Sequence, residues 1–163
     1  MDCMNRLVIA SIPLLFLASA RAQDLPDGPG KDTLVKICGG CHDAGVVATM
    51  HMPKEDWQNT VDDMKGRGAD GSDDDFKTIL NYLAKYQGPE VNVNTAAAKE
   101  LQTQLDLSDS EAQAIVQYRT VNGNFKTWAD LQKVSGVDMK KLEPLKGRIV
   151  FAAPGAAAPS APQ

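Results

Sequence analysis

Thiols are scarce in this chain, and that scarcity sets the first limits. Of three cysteines in 163 residues, Cys3 precedes an apolar N-terminal stretch, which leaves Cys38 and Cys41 as the one pair beyond it. A single close pair cannot supply the disulfide framework of a small secreted scaffold. Histidine is scarcer still, with only His42 and His51, and there is no second Cys-x-x-Cys to complete a zinc site. Long apolar runs are also lacking. The stretch from Leu7 to Ala18 is broken by Pro13 and is too short to span a bilayer. No nucleophile–base pair, phosphate loop or second metal cluster stands out, so bond-making catalysis is not expected and the chain is not expected to be an enzyme.

What is present at the N-terminus reads as an export signal. Arg6 gives a positive start, Leu7 to Ala18 an apolar core, and Ala18-Ser19-Ala20 or Ala20-Arg21-Ala22 small residues for cleavage. Residues 1–22 are therefore expected to leave, Cys3 with them, giving a periplasmic protein with no stable membrane span. The rest divides by charge. Gln23 to Glu90 carry 7 basic and 13 acidic side chains, a net −6, whereas Val91 to Phe151 carry 8 basic and 7 acidic, a net +1. The shift falls at Gly88-Pro89, so the expected organisation is all-α with two small domains, 23–88 and 89–151. A Pro/Ala-rich tail, 152–163, has nothing to bury.

The first domain is organised around Cys38-Gly-Gly-Cys41-His42. Two thiols three positions apart can each add to a vinyl group of a porphyrin, and the adjoining His42 is then placed to hold the iron, so the spacing points to one covalent haem c. Leu34, Ile37, Cys38 and Cys41 fall at i, i+3, i+4 and i+7, which predicts one helix with both thiols on its buried face. A second helix is expected to open at Pro53 with Trp57, Val61 and Met64 inward. A third should open at Ser72, capped with Asp75, and bury Phe76, Ile79, Leu80 and Leu83. Met64, before the Lys65-Gly-Arg-Gly68 loop, is the preferred distal iron ligand; the Met50-His51-Met52 cluster and an open site are the alternatives. An open site would be required for peroxidase chemistry or gas sensing. Asp70-Gly-Ser-Asp-Asp-Asp75 lacks the spacing of a calcium loop and reads as a helix start.

Leu34-x3-Cys38-x2-Cys41-His42, Trp57-x3-Val61-x2-Met64 and Ile79-x2-Tyr82-Leu83 resemble the small single-haem class I c-type cytochrome domains that serve periplasmic dehydrogenases. The resemblance implies electron transfer through an exposed haem edge, a metal-binding function of His42 and Met64, and a periplasmic redox protein or dehydrogenase as partner.

In the second domain, helix starts are expected near Thr95, at Ser108 with Glu111, at Thr127 with Asp130, and at Asp138, the last running through Leu142, Leu145 and Ile149 with a bend at Pro144. Val91-Asn-x-Asn94-Thr-Ala96, Ala112-x-Ala114-Ile115, Tyr118-Arg119, Gly123-x-Phe125 and Asp130-Leu131 through Gly136 to Leu142 resemble the helix-hairpin-helix domain of exported competence DNA receptors of the ComEA type and of the photosystem protein PsbU. In the DNA-binding members, a glycine pair in each hairpin turn offers bare backbone N–H groups to phosphate. Here the first turn, Asp106-Leu107-Ser108, has neither glycine, and the second, Gly136-Val137-Asp138, keeps one. Lys133, Lys140, Lys141, Lys146 and Arg148 form a modest basic strip around Gly136. The leading expectation is therefore an electron carrier docked to its partner by this module; the alternative is a competence-type DNA-binding protein with an accessory or redox-sensing haem domain.

Overall fold

A computed structural model of the chain describes residues 25–153; the expected export signal and most of the Pro/Ala tail lie outside the described residues. Among the described residues, seven α-helices, two 3-10 helices and one pair of two-residue strands follow one another as α1 Lys31–Cys38, the 3-10 helix Ala44–Thr49, α2 Lys54–Gly66, α3 Asp73–Tyr86, β1 Val91–Asn92, α4 Ala98–Leu105, α5 Asp109–Asn122, α6 Trp128–Leu131, α7 Met139–Leu142, the 3-10 helix Glu143–Arg148, and β2 Ile149–Val150. Among the described residues no helix is long and apolar enough to cross a membrane.

The starts of these helices follow local chemistry. Ser72, Ser108 and Thr127 each accept from the backbone N–H three residues on, and Asp75, Glu111 and Asp130 return the favour to the cap's own N–H. Pro53 caps α2, with Glu55 and Asp56 in the first turn where the helix dipole favours anions. The charge-rich segment 70–75 is thus a helix start, with Asp75 accepting from Ser72 N–H at 3.0 Å.

Three expectations are corrected. The first helix ends at Cys38, with Gly39 as its C-cap, because two consecutive glycines do not favour continuing it. Cys41 therefore lies beyond the helix and is exposed rather than on a buried face. The helix expected from Thr95 begins at Ala98, after a turn in which Ala96 N–H meets Asn92 C=O at 2.8 Å. The last helix stops at Leu142 and tightens into 3-10 form through Pro144, and Ile149–Val150 then pairs in parallel with Val91–Asn92. The chain is mostly helical but not wholly so.

Packing is continuous from one half to the other. Leu34, Trp57, Val61, Phe76, Ile79 and Leu83 are buried in the first half, and Leu101, Leu105, Ala112, Ile115, Leu131 and Leu142 in the second. Between them, buried Arg148 donates from Nε and Nη2 to Pro89 C=O at 3.1 and 3.0 Å, from Nη1 to Lys85 C=O, and from Nη2 to Gln104 Oε1 at 3.1 Å.

Candidate functional site

The first half forms an apolar cavity of about 570 Å³, open to solvent on one side, between α1, the 3-10 helix Ala44–Thr49, α2 and α3. Its walls include Leu34, Trp57, Val61, Phe76 and Leu83, and Cys38, Cys41, His42, Met50 and Met64 all reach it. Trp57 fixes one side by donating Nε1–H to Gln87 C=O at 2.8 Å. His51 does not join the group: it lines a second cavity with Tyr86, Gln87 and Glu143. Burial lowers the His51 pKa, which favours its neutral form.

The thiols and the histidine are differently disposed. Cys38 is half-buried and desolvation raises its pKa, the reverse of what activates a redox thiolate. His42 is exposed, with Nδ1 3.1 Å from Asp43 C=O. A carbonyl only accepts, so Nδ1 is the donor in this contact, which leaves Nε2 directed away from Asp43. A flat apolar ring system fits these walls by size and polarity.

The second half holds two hairpins of the same local build. Each turn has a residue with positive φ, then a residue directed into the core, then a helix cap: Asp106 (φ 56), Leu107 and Ser108 in the first, Gly136 (φ 87), Val137 and Asp138 in the second. Asp106 is the one non-glycine residue with positive φ among the described residues. Its carboxylate faces Lys85 of α3 at 3.3 Å. Gly136 is exposed with nothing within 4 Å of where a Cβ would stand.

The lysines chosen from the sequence are unequal. Lys133 is held by Asp130 at 2.7 Å and Lys141 by Glu111 at 3.1 Å, while Lys140 is exposed and its backbone N–H is capped by Asp138 at 3.0 Å. Lys146 lies 3.7 Å from Glu143. Arg148 does not belong to the strip: it is buried, and desolvation lowers its pKa to about 10, which leaves it protonated at neutral pH. Two structural residues went unread in the sequence. Asn94 donates to Phe125 C=O at 2.9 Å and accepts from Phe125 N–H at 2.8 Å, and Arg119 donates to Val93 and Ala96 C=O. Only their place in the Asn94-Thr-Ala96 and Tyr118-Arg119 motifs signalled them.

Residues 87–150 match the helix-hairpin-helix motif family. The chain is similar to ComE operon protein 1 of Bacillus subtilis, 44% identical over 63 residues that make up 39% of this chain and 31% of that protein. An uncharacterized Haemophilus influenzae protein is 41% identical over 63 residues, 38% of this chain and 56% of that one. The human endonuclease/exonuclease/phosphatase family domain-containing protein 1 is 40% identical over 72 residues, 44% of this chain and 13% of its own length. No solved structure matches. Each match thus spans only part of its relative.

These findings correct one expectation. Cytochrome c, heme, iron, electron transfer and metal-binding do not describe what the chain is similar to: the matched family and the named relatives speak for the helix-hairpin-helix segment. Nor is there, among the described residues, any group of three or more His, Cys, Asp or Glu side chains that could hold a metal ion. What the comparisons identify is a helix-hairpin-helix segment over residues 87–150.

Proposed function

We propose that the chain is an exported, non-enzymatic DNA-binding protein whose helix-hairpin-helix segment meets the phosphates of duplex DNA, and whose first half is an accessory domain. The observation that carries this reading is the pair of like-built hairpin turns within residues 87–150, the second with exposed Gly136 four residues ahead of exposed Lys140. A glycine turn lets a phosphate approach the backbone closely, and neighbouring lysines supply a sequence-independent attraction. The segment's net +1 sets the scale: binding is weak and weakens further as salt rises. Titrating the full chain with labelled duplex at two salt concentrations tests it. Affinity should fall as salt rises, and Lys140→Glu should weaken binding and reduce the logarithmic salt slope by about 1. No binding even at low salt would end the reading.

The accessory domain carries its own proposal, favoured by the cavity that gathers Cys38, Cys41, His42, Met50 and Met64. Cys38 and Cys41 would hold haem c through thioether bonds, with His42 and Met64 as the residues that would hold its iron. The group would supply a one-electron centre, while the chain's residues orient it and shield it from water. Mass measurement of the exported chain tests this. The native chain should carry one haem, and Cys38→Ser with Cys41→Ser should carry none; an unmodified native chain would refute it.

A further inference from the structure

Ser108 and Asp138 hold the same position in the two hairpins, and their backbone N–H groups converge on one carboxylate. Glu111 Oε2 accepts from Ser108 N–H at 2.8 Å and from the Ser108 hydroxyl at 2.7 Å, while Oε1 accepts from Asp138 N–H at 3.1 Å. Lys141 Nζ stands 3.3 and 3.1 Å from the two oxygens. The Glu111 side chain is only 7% exposed. Half of this is an ordinary capping box, in which the third residue of α5 turns back to its own cap. The other half is not. The third residue of α7 is Lys141, which cannot accept, so Glu111 reaches across 27 residues to serve that cap too.

Two backbone donors, a hydroxyl and an ammonium around one oxyanion form the donor set of a phosphate site, and here the chain supplies the anion itself. We propose that Glu111 is an internal counter-anion filling the phosphate-ligating position of the hairpin pair, so that DNA phosphate is met by lysine side chains, chiefly Lys140, rather than by the N–H groups of Ser108 and Asp138. This rests on the DNA-binding reading above and deepens it. Glu111 acts as a positioning and restraining residue: it locks the two turns to each other and keeps Lys141 engaged within the protein.

The full-length chain, Glu111→Ala and Glu111→Gln are titrated with inorganic phosphate while backbone amide resonances are followed. In the native chain the Ser108 and Asp138 amides stay in place; in Glu111→Ala they move together and saturate. With duplex DNA at about 50 mM salt, Glu111→Gln binds roughly threefold or more tighter than the native chain, with a logarithmic salt slope steeper by about 0.9, as one added phosphate contact requires. A residue that merely held the fold would give equal or weaker binding and an unchanged slope. Movement of the two amides in the native chain, or folded variants that take up phosphate and duplex no better than the native chain, overturns the proposal. If both variants fail to fold, the native chain decides alone: on adding duplex, Lys140 should respond while Ser108 and Asp138 hold, and the reverse overturns it. If neither the native chain nor Glu111→Gln binds duplex while Glu111→Ala still takes up phosphate, the DNA reading fails and the counter-anion stands.

Discussion

A single carboxylate, Glu111, couples the second half's stability to pH. The Ser108 backbone N–H first, then the Ser108 hydroxyl, hold its pKa down to about 2, well below the ordinary glutamate value of about 4.3. A depressed folded-state pKa contributes stability that is complete above the unfolded value and is lost as pH falls through the folded one. The native chain should therefore lose stability between about pH 5 and pH 2, and Glu111→Gln should flatten that dependence. Denaturant midpoints across the range check this; an unaltered slope in the variant would sink it. Some slope should remain, because Asp130 is also held at about 2, first by Lys133. The Ser108–Glu111 spacing was legible as a cap. The second service, to Asp138, was not, because a contact 27 residues away depends on how the hairpins fold together.

Elements with strong local signals were the ones legible in advance. The capping pairs at Ser72, Ser108 and Thr127 and the stop at Gly123 are local chemistry, and each stands where its residues put it. What escaped was set by distant partners. Two-residue strands have no period to read, and Val91–Asn92 finds Ile149–Val150 only once the second half has closed. In the first half, the periodic placing of Cys41 on the helix gave way to Gly39-Gly40, yet the cavity still gathers Cys38, Cys41, His42 and Met64. Four-residue α6 tests how much a cap contributes to so short an element. Such a helix has almost no cooperativity of its own. Thr127→Ala, which removes the hydroxyl that accepts from Asp130 N–H at 3.3 Å, should cost about 1 kcal/mol. Chemical denaturation with an unchanged m-value would establish it, and a loss within error of zero would show that Leu131 burial alone holds the turn.

At the scale of the whole chain, the charge break at Gly88-Pro89 marks a clamp as well as a change of composition. Arg148, one residue before β2, reaches back to the carbonyls of Lys85 and Pro89, so the end of the chain grips the end of α3. A Cβ at Gly88 would stand 2.6 Å from the Ala84 carbonyl oxygen and 2.8 Å from that guanidinium, which explains the residue there. The same segment serves the first half: Gln87 C=O accepts from Trp57 Nε1–H and from Met52 N–H at 3.0 Å, and Trp57 is a cavity wall. Residues 85–89 are therefore bonded from both sides. Replacing Arg148 by Met keeps much of the buried volume but leaves carbonyl groups without donors, at a cost of about 2–4 kcal/mol, a large share of the roughly 5–15 kcal/mol that holds a small protein folded. The loss should fall mainly on the junction. Trp57 reports the first half and Trp128 the second. In the native chain both should unfold in one transition; in Arg148→Met, followed in Trp57→Phe and Trp128→Phe backgrounds, the two midpoints should separate. Midpoints that fall together in the variant would mean that the shared apolar core, rather than the arginine clamp, joins the halves.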